Sequence, residues 1–352
     1  MVFRFRILMV VAACAVLGSV ASAADHGLVV ELNADKTALT TSEDVNVRFT
    51  LTNTGSQVHR VYAWQVPIGE IEHDLFEVVH NGKPVAYLGI DAKRGPATSA
   101  DLIRLGPGQS VSATVELTAL YDMSKPGSYS VRYRSGLGAL LRTTDVDLVG
   151  RGIDSNAVGF ELTGTARPSG LEAFAQAGGE TDVVTPLYTR CTASQIQQVG
   201  TALASADAYA NNAVSYLAAG TKGPRYTTWF GTYDATRYNT VKSHFTAIND
   251  TFDNRQMTFD CGCKKPYYAY VYPSQPYKVY FCKAFWSAPN TGTDSRAGTI
   301  IHETSHFTAV SSTDDWVYGQ TGCKSLAISN PTNAIDNADS HEYFGENTPV
   351  QN

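Results

Sequence analysis

The sequence predicts two folded parts, a β-sandwich followed by an α+β domain that is mostly helical. Residues 24–165 contain short runs of β-branched residues with turn residues between them, which is typical of strands. From residue 188 onward, apolar residues recur at helical spacing in several long segments. The chain has 352 residues, which exceeds the usual size of one domain.

The N-terminus predicts a secretory leader over residues 1–23. Arg4 and Arg6 precede a mostly apolar stretch, and Ala21-Ser22-Ala23 fits a signal-peptidase site. No later stretch reaches about 18 apolar residues, so we expect no membrane anchor. We therefore expect the protein to be secreted and extracellular.

The first part is expected to form an antiparallel, immunoglobulin-like sandwich. Its strand candidates include "LVVEL", "VNVRFTLTNTG" and "GSYSVRYRS", and Asn81-Gly82 is a hairpin signal. Residues 166–187 combine proline, glycine and small polar residues, which indicates a linker. The domain after it, residues 188–352, contains every cysteine that follows the leader.

The second part opens with an alanine-rich segment, Thr192 to Gly220, that predicts a long helix capped by Thr192 or Ser194. A second helix is predicted within "TTWFGTYDATRYNTVKSHFTAINDTF". Short strands are predicted at "YYAYVYP" and "KVYFC", and a further helix at "SRAGTIIHETSHFTAV".

Charge and cysteine content limit the class of protein. The net charge of −6 and the lack of a basic run argue against a nucleic-acid partner. In an oxidising compartment, four of the five remaining cysteines are expected to form two disulfides, leaving Cys323 as the candidate for the unpaired one. Cys261 and Cys263 are too close to favour bridging each other. A cysteine-rich zinc site is the alternative.

The strongest chemical motif is His302-Glu303-Thr304-Ser305-His306. On a helix, residues four apart share a face, so both imidazoles can bind one metal ion, with Glu303 as a base. The alternative is an ordinary helix whose histidines pack or face solvent. A catalytic zinc requires a third ligand, and carboxylates follow the motif at Asp314, Asp315, Asp336, Asp339, Glu342 and Glu346.

These residues resemble a known family. A histidine pair followed by a Gly-Thr-x-Asp turn marks the aspzincins, the deuterolysin-like zinc endopeptidases, and here the turn reads Ser312-Thr313-Asp314-Asp315. The segments "RYTTWFG", "FDCGC", "AYVYP", "AFWSAPNTGTDSRAGT", "DWVYGQ" and "NADSHEYFGENTP" resemble the peptidyl-Lys metalloendopeptidase branch. The resemblance covers about residues 188–352.

The resemblance implies a zincin-like fold, one Zn²⁺ per catalytic domain and a role for each motif residue. Glu303 would activate a zinc-bound water, and Tyr318 would hydrogen-bond the oxyanion. The implied zinc ligands are His302, His306 and Asp315, with the neighbouring Asp314 as the alternative to Asp315. The implied disulfides are Cys191–Cys261 and Cys263–Cys282.

Asp339 and Glu342 share a face if their segment is helical, and two carboxylates attract a lysine ammonium. An ordinary solvated acidic face is the alternative. The resemblance assigns both to the substrate pocket, which implies cleavage of proteins or peptides on the amino side of lysine by a monomeric catalytic domain. Other candidates are a deuterolysin-like protease of broader specificity and a secreted binding protein with an inactive peptidase-like domain.

The sandwich is expected to be a pro-domain, making the chain a zymogen. It would assist folding or block the cleft. No lysine lies between Lys125 and Lys222, so a strictly lysine-directed enzyme could not cut its own linker.

Overall fold

The computed structural model describes residues 26–143, 145–169 and 185–352. The predicted leader, residues 1–23, and most of the predicted linker, residues 166–187, lie outside these described residues.

Sixteen strands are formed in the described residues. They are β1 (Leu28–Asn33), β2 (Ala38–Thr40), β3 (Asn46–Asn53), β4 (His59–Tyr62), β5 (Phe76–His80), β6 (Lys83–Pro84), β7 (Asp91–Lys93), β8 (Leu102–Leu105), β9 (Ser110–Glu116), β10 (Gly127–Gly136), β11 (Gly152–Asp154), β12 (Val158–Thr163), β13 (Leu187–Thr189), β14 (Thr258–Asp260), β15 (Ala269–Val271) and β16 (Lys278–Phe281).

Ten α-helices accompany them in the part of the chain that the structure describes. They are α1 (Leu137–Leu140), α2 (Val146–Val149), α3 (Ala193–Ala218), α4 (Pro224–Phe230), α5 (Ala235–Asn254), α6 (Lys283–Ser287), α7 (Arg296–His306), α8 (Gly319–Ser329), α9 (Pro331–Ala334) and α10 (Ala338–Glu346).

The first part is built from sheets that share one apolar core. β1, β3 and β9 form one sheet, the path β2-β12-β10-β5-β6 forms another with β11 on β10, and β4 pairs with β8. Alternate residues of β10 are buried because successive side chains of a strand point to opposite faces. Phe49, Val131 and Tyr133 lie in the resulting core.

The expected all-β, antiparallel character of this part is wrong in two respects. β2 pairs with β12 in parallel, and the short helices α1 and α2 interrupt the strands. Val149, at the end of α2, is buried in the core of the second part. The two parts therefore pack against each other as well as following each other in sequence.

The second part is α+β, with a helical layer around α7. The Thr192 hydroxyl accepts a hydrogen bond from Gln195 N, so Thr192 is the cap of α3. Ala202, Ala206 and Ala210 are fully buried along one face of α3, and small side chains allow close approach of α5 and α7. Across the residues that the structure describes, helices take 34% and strands 26%, so the molecule is not mostly helical.

The second part also contains a five-stranded sheet whose last strand comes from the first part. The order is β13-β14-β16-β15-β7. β7 runs antiparallel to β15 and places Lys93 opposite Ala269, Ala92 opposite Tyr270 and Asp91 opposite Val271. The edge of the sheet at β15 is therefore covered by β7, a strand from the first part of the chain.

Two disulfides join Cys191 to Cys261 and Cys263 to Cys282, and Cys323 is a buried free thiol. Both bridges lie after residue 187. Neither of these two disulfides, which are the ones found among the described residues, connects the two parts. Within the same residues, no helix has the length and apolar character needed to span a bilayer.

Candidate active site

Helix α7 brings the two histidines of the motif together. It begins at the cap Ser295, whose hydroxyl accepts a hydrogen bond from Gly298 N, and it is buried from Ala297 to its end. His302 and His306 lie one turn apart, and their Nε2 atoms are 3.1 Å from each other. Because i and i+4 share a helix face, both rings point into the same space.

Asp315 completes the group. Its Oδ1 lies 3.4 Å from His302 Nε2 and its Oδ2 lies 3.6 Å from His306 Nε2. Burial alone would raise the pKa of Asp315, but the two histidines hold it below the usual range of a carboxyl. The neighbouring Asp314 points elsewhere, with Oδ2 3.2 Å from Arg134 Nη2. Asp315, not Asp314, therefore lies with the histidines.

The turn between α7 and Asp315 depends on an unusual backbone conformation. Ser312 has a φ of 50°, in the left-handed region that glycine adopts without steric cost. The turn lets Thr313 O lie 2.7 Å from His306 Nδ1, and the Thr313 hydroxyl lies 2.6 Å from Ser305 Oγ. The same turn thus orients one histidine and delivers Asp315.

Replacing Ser312 by Gly should stabilise the protein. A non-glycine residue in the left-handed region costs about 1–2 kcal/mol, and the greater freedom of glycine in the unfolded chain cancels part of the gain. We expect a net gain of about 0.5–1 kcal/mol, seen as a melting temperature higher by about 1–2 °C. Ser311→Gly is the control, because the φ of Ser311 is not positive. Equal melting temperatures for the two variants would contradict this explanation.

The donor atoms suit a tetrahedral metal ion. One imidazole nitrogen each from His302 and His306 and one carboxylate oxygen of Asp315 lie within 4.8 Å of one another. Each histidine also has an acceptor beside Nδ1, Thr313 O for His306 and Asp339 Oδ1, at 2.9 Å, for His302. This leaves both Nε2 lone pairs directed at the shared space, which is the arrangement of metal-binding histidines. His302, His306 and Asp315 therefore fit a zinc ion.

Glu303 lies next to this group in a fully buried position. Neither carboxylate oxygen has a hydrogen-bond partner in the described residues. Burial raises the pKa of Glu303 to about 8. A buried carboxyl without a partner is unusual in a folded protein, so Glu303 is a candidate for a chemical role beside these donors.

The Tyr318 hydroxyl faces the same space. It lies 2.8 Å from Asp315 Oδ2 and 3.0 Å from the carbonyl oxygen of Ala92. The hydroxyl carries one proton, so it can donate to one of these acceptors at a time. Tyr318 can thus donate to a peptide carbonyl at this position.

Asp339 and Glu342 lie on α10 and share a buried face, as their spacing predicts. Between them lies the ammonium of Lys93, with Nζ 3.0 Å from Asp339 Oδ1 and 2.6 Å from Glu342 Oε2. The Lys93 side chain is 2% exposed. Burial alone would lower the pKa of Lys93, but the two carboxylates outweigh it and raise that pKa well above its usual value.

Asp339 has a second set of contacts. Besides Lys93 and His302 Nδ1, it accepts a hydrogen bond from Gly319 N through Oδ2, at 2.7 Å. The pocket for the ammonium and the histidine pair are therefore linked mainly through Asp339, since Glu342 Oε2 lies farther from His302 Nδ1, at 3.5 Å. The sequence motif does not reveal this link, since His302 and Asp339 are far apart in the chain.

Sequence reasoning missed the residues that the first part contributes. Ala92 and Lys93 enter the site, and His73 lines a small cavity with Asp91 and Asp315. Both ring nitrogens of His73 lack a hydrogen-bond partner among the described residues, and its ring centre is 6.3 Å from that of Tyr318. The sequence offered one indication of this, since a lysine of the first part could occupy a pocket that binds lysine. It did not indicate which lysine.

His341, which begins the second His-Glu pair of the sequence, is a core residue. Its Nε2 lies 3.0 Å from His244 Nδ1, and its ring contacts the aromatic rings of Phe230 and Phe245. It does not join the metal-binding group, in agreement with the missing second histidine at Gly345.

Two histidines and one carboxylate beside a buried glutamate are the arrangement found in zinc metallopeptidases. The chain belongs to the aspzincin family, whose model, described as lysine-specific metallo-endopeptidase, matches residues 215–346. Membership of this family implies a bound metal ion.

Several proteins are similar to this chain over most of their own length. An extracellular protease of Aeromonas hydrophila is 46% identical over 319 residues, which are 88% of this chain and 90% of that protein. The peptidyl-Lys metalloendopeptidase of Grifola frondosa is 35% identical over 358 residues, covering 95% and 96%. That of Pleurotus ostreatus is 55% identical over 166 residues, covering 46% and 98%. The solved structure of a zinc peptidase from Grifola frondosa has 47% identity and a TM-score of 0.45, covering 46% of this chain and all of that one.

Proposed function

We propose that this protein is a secreted zinc endopeptidase that hydrolyses peptide bonds on the amino side of lysine. The observation that carries the proposal is the buried pair Asp339 and Glu342, which already holds a lysine ammonium next to the His302, His306 and Asp315 group. A buried cation is stable only when it is paired and hydrogen-bonded. The pocket is therefore suited to a lysine side chain.

His302, His306 and Asp315 would hold the zinc ion. When bound, the ion would lower the pKa of a water molecule and polarise the carbonyl of the bond to be cleaved. His306 is held by Thr313 O and His302 by Asp339, so the chain fixes both rings in the orientation that metal binding needs.

Glu303 would take the proton from the attacking water and pass it to the leaving amine. Its carboxylate oxygens have no partner among the described residues, and the charge of a bound zinc ion would lower its pKa from about 8 toward neutral pH, where it can accept a proton. Tyr318 would donate its hydroxyl proton to the carbonyl oxygen as negative charge develops there. Its 3.0 Å contact with Ala92 O, a peptide carbonyl, supports this role.

The first part, residues 24–165, would act as a pro-domain, removed at residues 166–187 to give a monomeric catalytic domain of residues 188–352. The extracellular protease of Aeromonas hydrophila, which matches nearly the whole chain, supports secretion of this protein. The two peptidyl-Lys metalloendopeptidases support protein substrates that contain lysine.

Digestion of a denatured protein tests the function directly. We expect the purified enzyme to generate new N-termini that begin with lysine, and a zinc chelator to abolish cleavage. Sequencing of the fragments by mass spectrometry provides the measurement, and re-addition of zinc to the chelated enzyme is the control. Cleavage that ignores lysine, or that persists after complete removal of metal, would contradict the proposal.

A further inference from the structure

Residues 91–93 lie in the cleft as an extended strand. β7 is antiparallel to β15, and Tyr268 N donates a hydrogen bond of 3.0 Å to Lys93 O. Adding a strand to an exposed sheet edge is a common way to bind an extended peptide, with side-chain pockets giving the specificity. The edge of β15 is thus a peptide-binding surface, and a segment of the same chain occupies it.

Two independent contacts fix the position of one peptide bond in this strand. The carbonyl oxygen of Ala92 faces the Tyr318 hydroxyl, and the next side chain, Lys93, enters the carboxylate pocket. Ala92 is fully buried and lies against Tyr267 and Cys282. The Ala92–Lys93 bond therefore has the register of a bond to be cleaved before lysine.

The segment is also held on both sides of that bond by its own part of the chain. On one side, Asp91 Oδ1 accepts a hydrogen bond of 3.3 Å from Asp74 N. On the other side, the Arg94 guanidinium forms an ion pair with Glu72. A ligand fixed in its bound conformation loses little freedom on binding, so it binds tightly.

From these contacts we propose that residues 91–93 act as a substrate-like inhibitor, with Lys93 filling the pocket that a substrate lysine needs. The inference rests on the proposed function. Only one ammonium fits between Asp339 and Glu342, so a substrate must displace Lys93. A tethered ligand competes at an effective concentration on the order of millimolar. The precursor is therefore closed to lysine-containing peptides while the two parts remain together.

The Xaa–Lys bond nearest to the active site lies in this segment and not in the linker. The chain lacks a lysine between Lys125 and Lys222, yet it holds an Xaa–Lys bond within its own cleft. The clamps on Asp91 and Arg94 would keep both ends of this segment in place even if that bond were hydrolysed. Release of the inhibitor then requires separation of the two parts.

Chemical labelling tests the occupancy without altering the pocket. The full-length precursor carrying Glu303→Gln, which blocks self-cleavage, is pulsed with acetic anhydride, and acetylation is followed by mass spectrometry. We expect Lys93 to react at least about 100-fold more slowly than the exposed Lys83 and Lys125, because a buried, paired ammonium does not lose its proton readily. Labelling of Lys93 at the rate of Lys83 would overturn the proposal.

Peptide binding tests the competition. In the Glu303→Gln precursor, Lys93→Gln should increase the affinity for a fluorescent peptide with a single lysine by about 100-fold, since the tethered competitor is lost. Lys83→Gln is the matched control and should leave the affinity unchanged. The melting temperature of each variant shows whether it is folded. If the Lys93→Gln precursor does not fold, the acetylation rate of Lys93 decides whether the inhibitor proposal stands.

The outcomes separate the two proposals. If the enzyme cleaves before lysine but the folded Lys93→Gln precursor binds the peptide no better than the Lys83→Gln precursor, the inhibitor proposal alone is wrong. If the enzyme cleaves without regard to lysine, the proposed function is wrong. In that event slow acetylation of Lys93 still supports occupation of the pocket by this segment, and fast acetylation overturns it.

Discussion

Replacing Glu303 by Gln should lower kcat/KM on Xaa–Lys peptides by at least about 1,000-fold, equivalent to about 4 kcal/mol in the activation free energy. Gln has nearly the same shape but cannot accept the proton of the attacking water. The Glu303 carboxylate has no hydrogen-bond partner among the described residues, so the change breaks no contact there. We therefore expect an unchanged melting temperature and unchanged zinc content. Steady-state kinetics and elemental analysis of the purified variant provide the measurements.

Glu346→Gln is the matched control for this variant. Glu346 is also buried, and burial together with the nearby Glu342 raises its pKa to about 9, which favours its neutral form. Its Oε1 accepts hydrogen bonds from Ser295 N and Oγ, and a Gln oxygen can accept both. We expect activity within about 3-fold of the wild type, since no charge is lost. A Glu303→Gln enzyme that retains comparable activity would show that another group acts as the base.

The second large effect concerns the two carboxylates of the lysine pocket, which should behave differently. Glu342→Gln removes one of the two charges facing the lysine ammonium, and it should lower kcat/KM for lysine peptides by about 100-fold, as expected for a broken buried charge pair. Zinc should remain bound. Asp339→Asn should produce a comparable loss of lysine preference and should also weaken zinc binding by about 10–100-fold, because Asp339 holds His302 in place.

A comparison of peptide cleavage and zinc retention separates these effects. Rates on matched Xaa–Lys and Xaa–Leu peptides give the lysine preference, and the zinc content after dialysis against a graded chelator gives the metal affinity. Asp253→Asn, on the exposed face of α5, is the control for an Asp to Asn change. Equal loss of zinc in Glu342→Gln and Asp339→Asn would refute the separate role of Asp339.

Local patterns predicted the parts of the site that lie on single elements. The i, i+4 spacing of His302 and His306 required only a helix, and helix α7 is present. The cap at Thr192 and the shared face of Asp339 and Glu342 are likewise decided by residues three or four apart. Such features depend on backbone geometry that neighbouring residues determine, so one sequence is enough to predict them.

Contacts between distant segments were not predictable in this way. Lys93 and Asp339 are 246 residues apart, and no local pattern distinguishes Lys93 from Lys36, Lys83 or Lys125. The choice between Asp314 and Asp315 also depended on the turn, since adjacent side chains point in different directions. The parallel pairing of β2 with β12 reflects a long-range arrangement of strands that alternation of apolar residues does not specify.

The position of the disulfides has a consequence for how long the two parts stay together. Both described bridges lie within the second part. If one peptide bond between the two parts is cut, only noncovalent contacts hold the parts together. Before the cut, their association is intramolecular and independent of protein concentration. After the cut it becomes a two-body equilibrium that weakens as the protein is diluted. Dispersal of the protein outside the cell would then itself favour the free enzyme, with no further chemical signal.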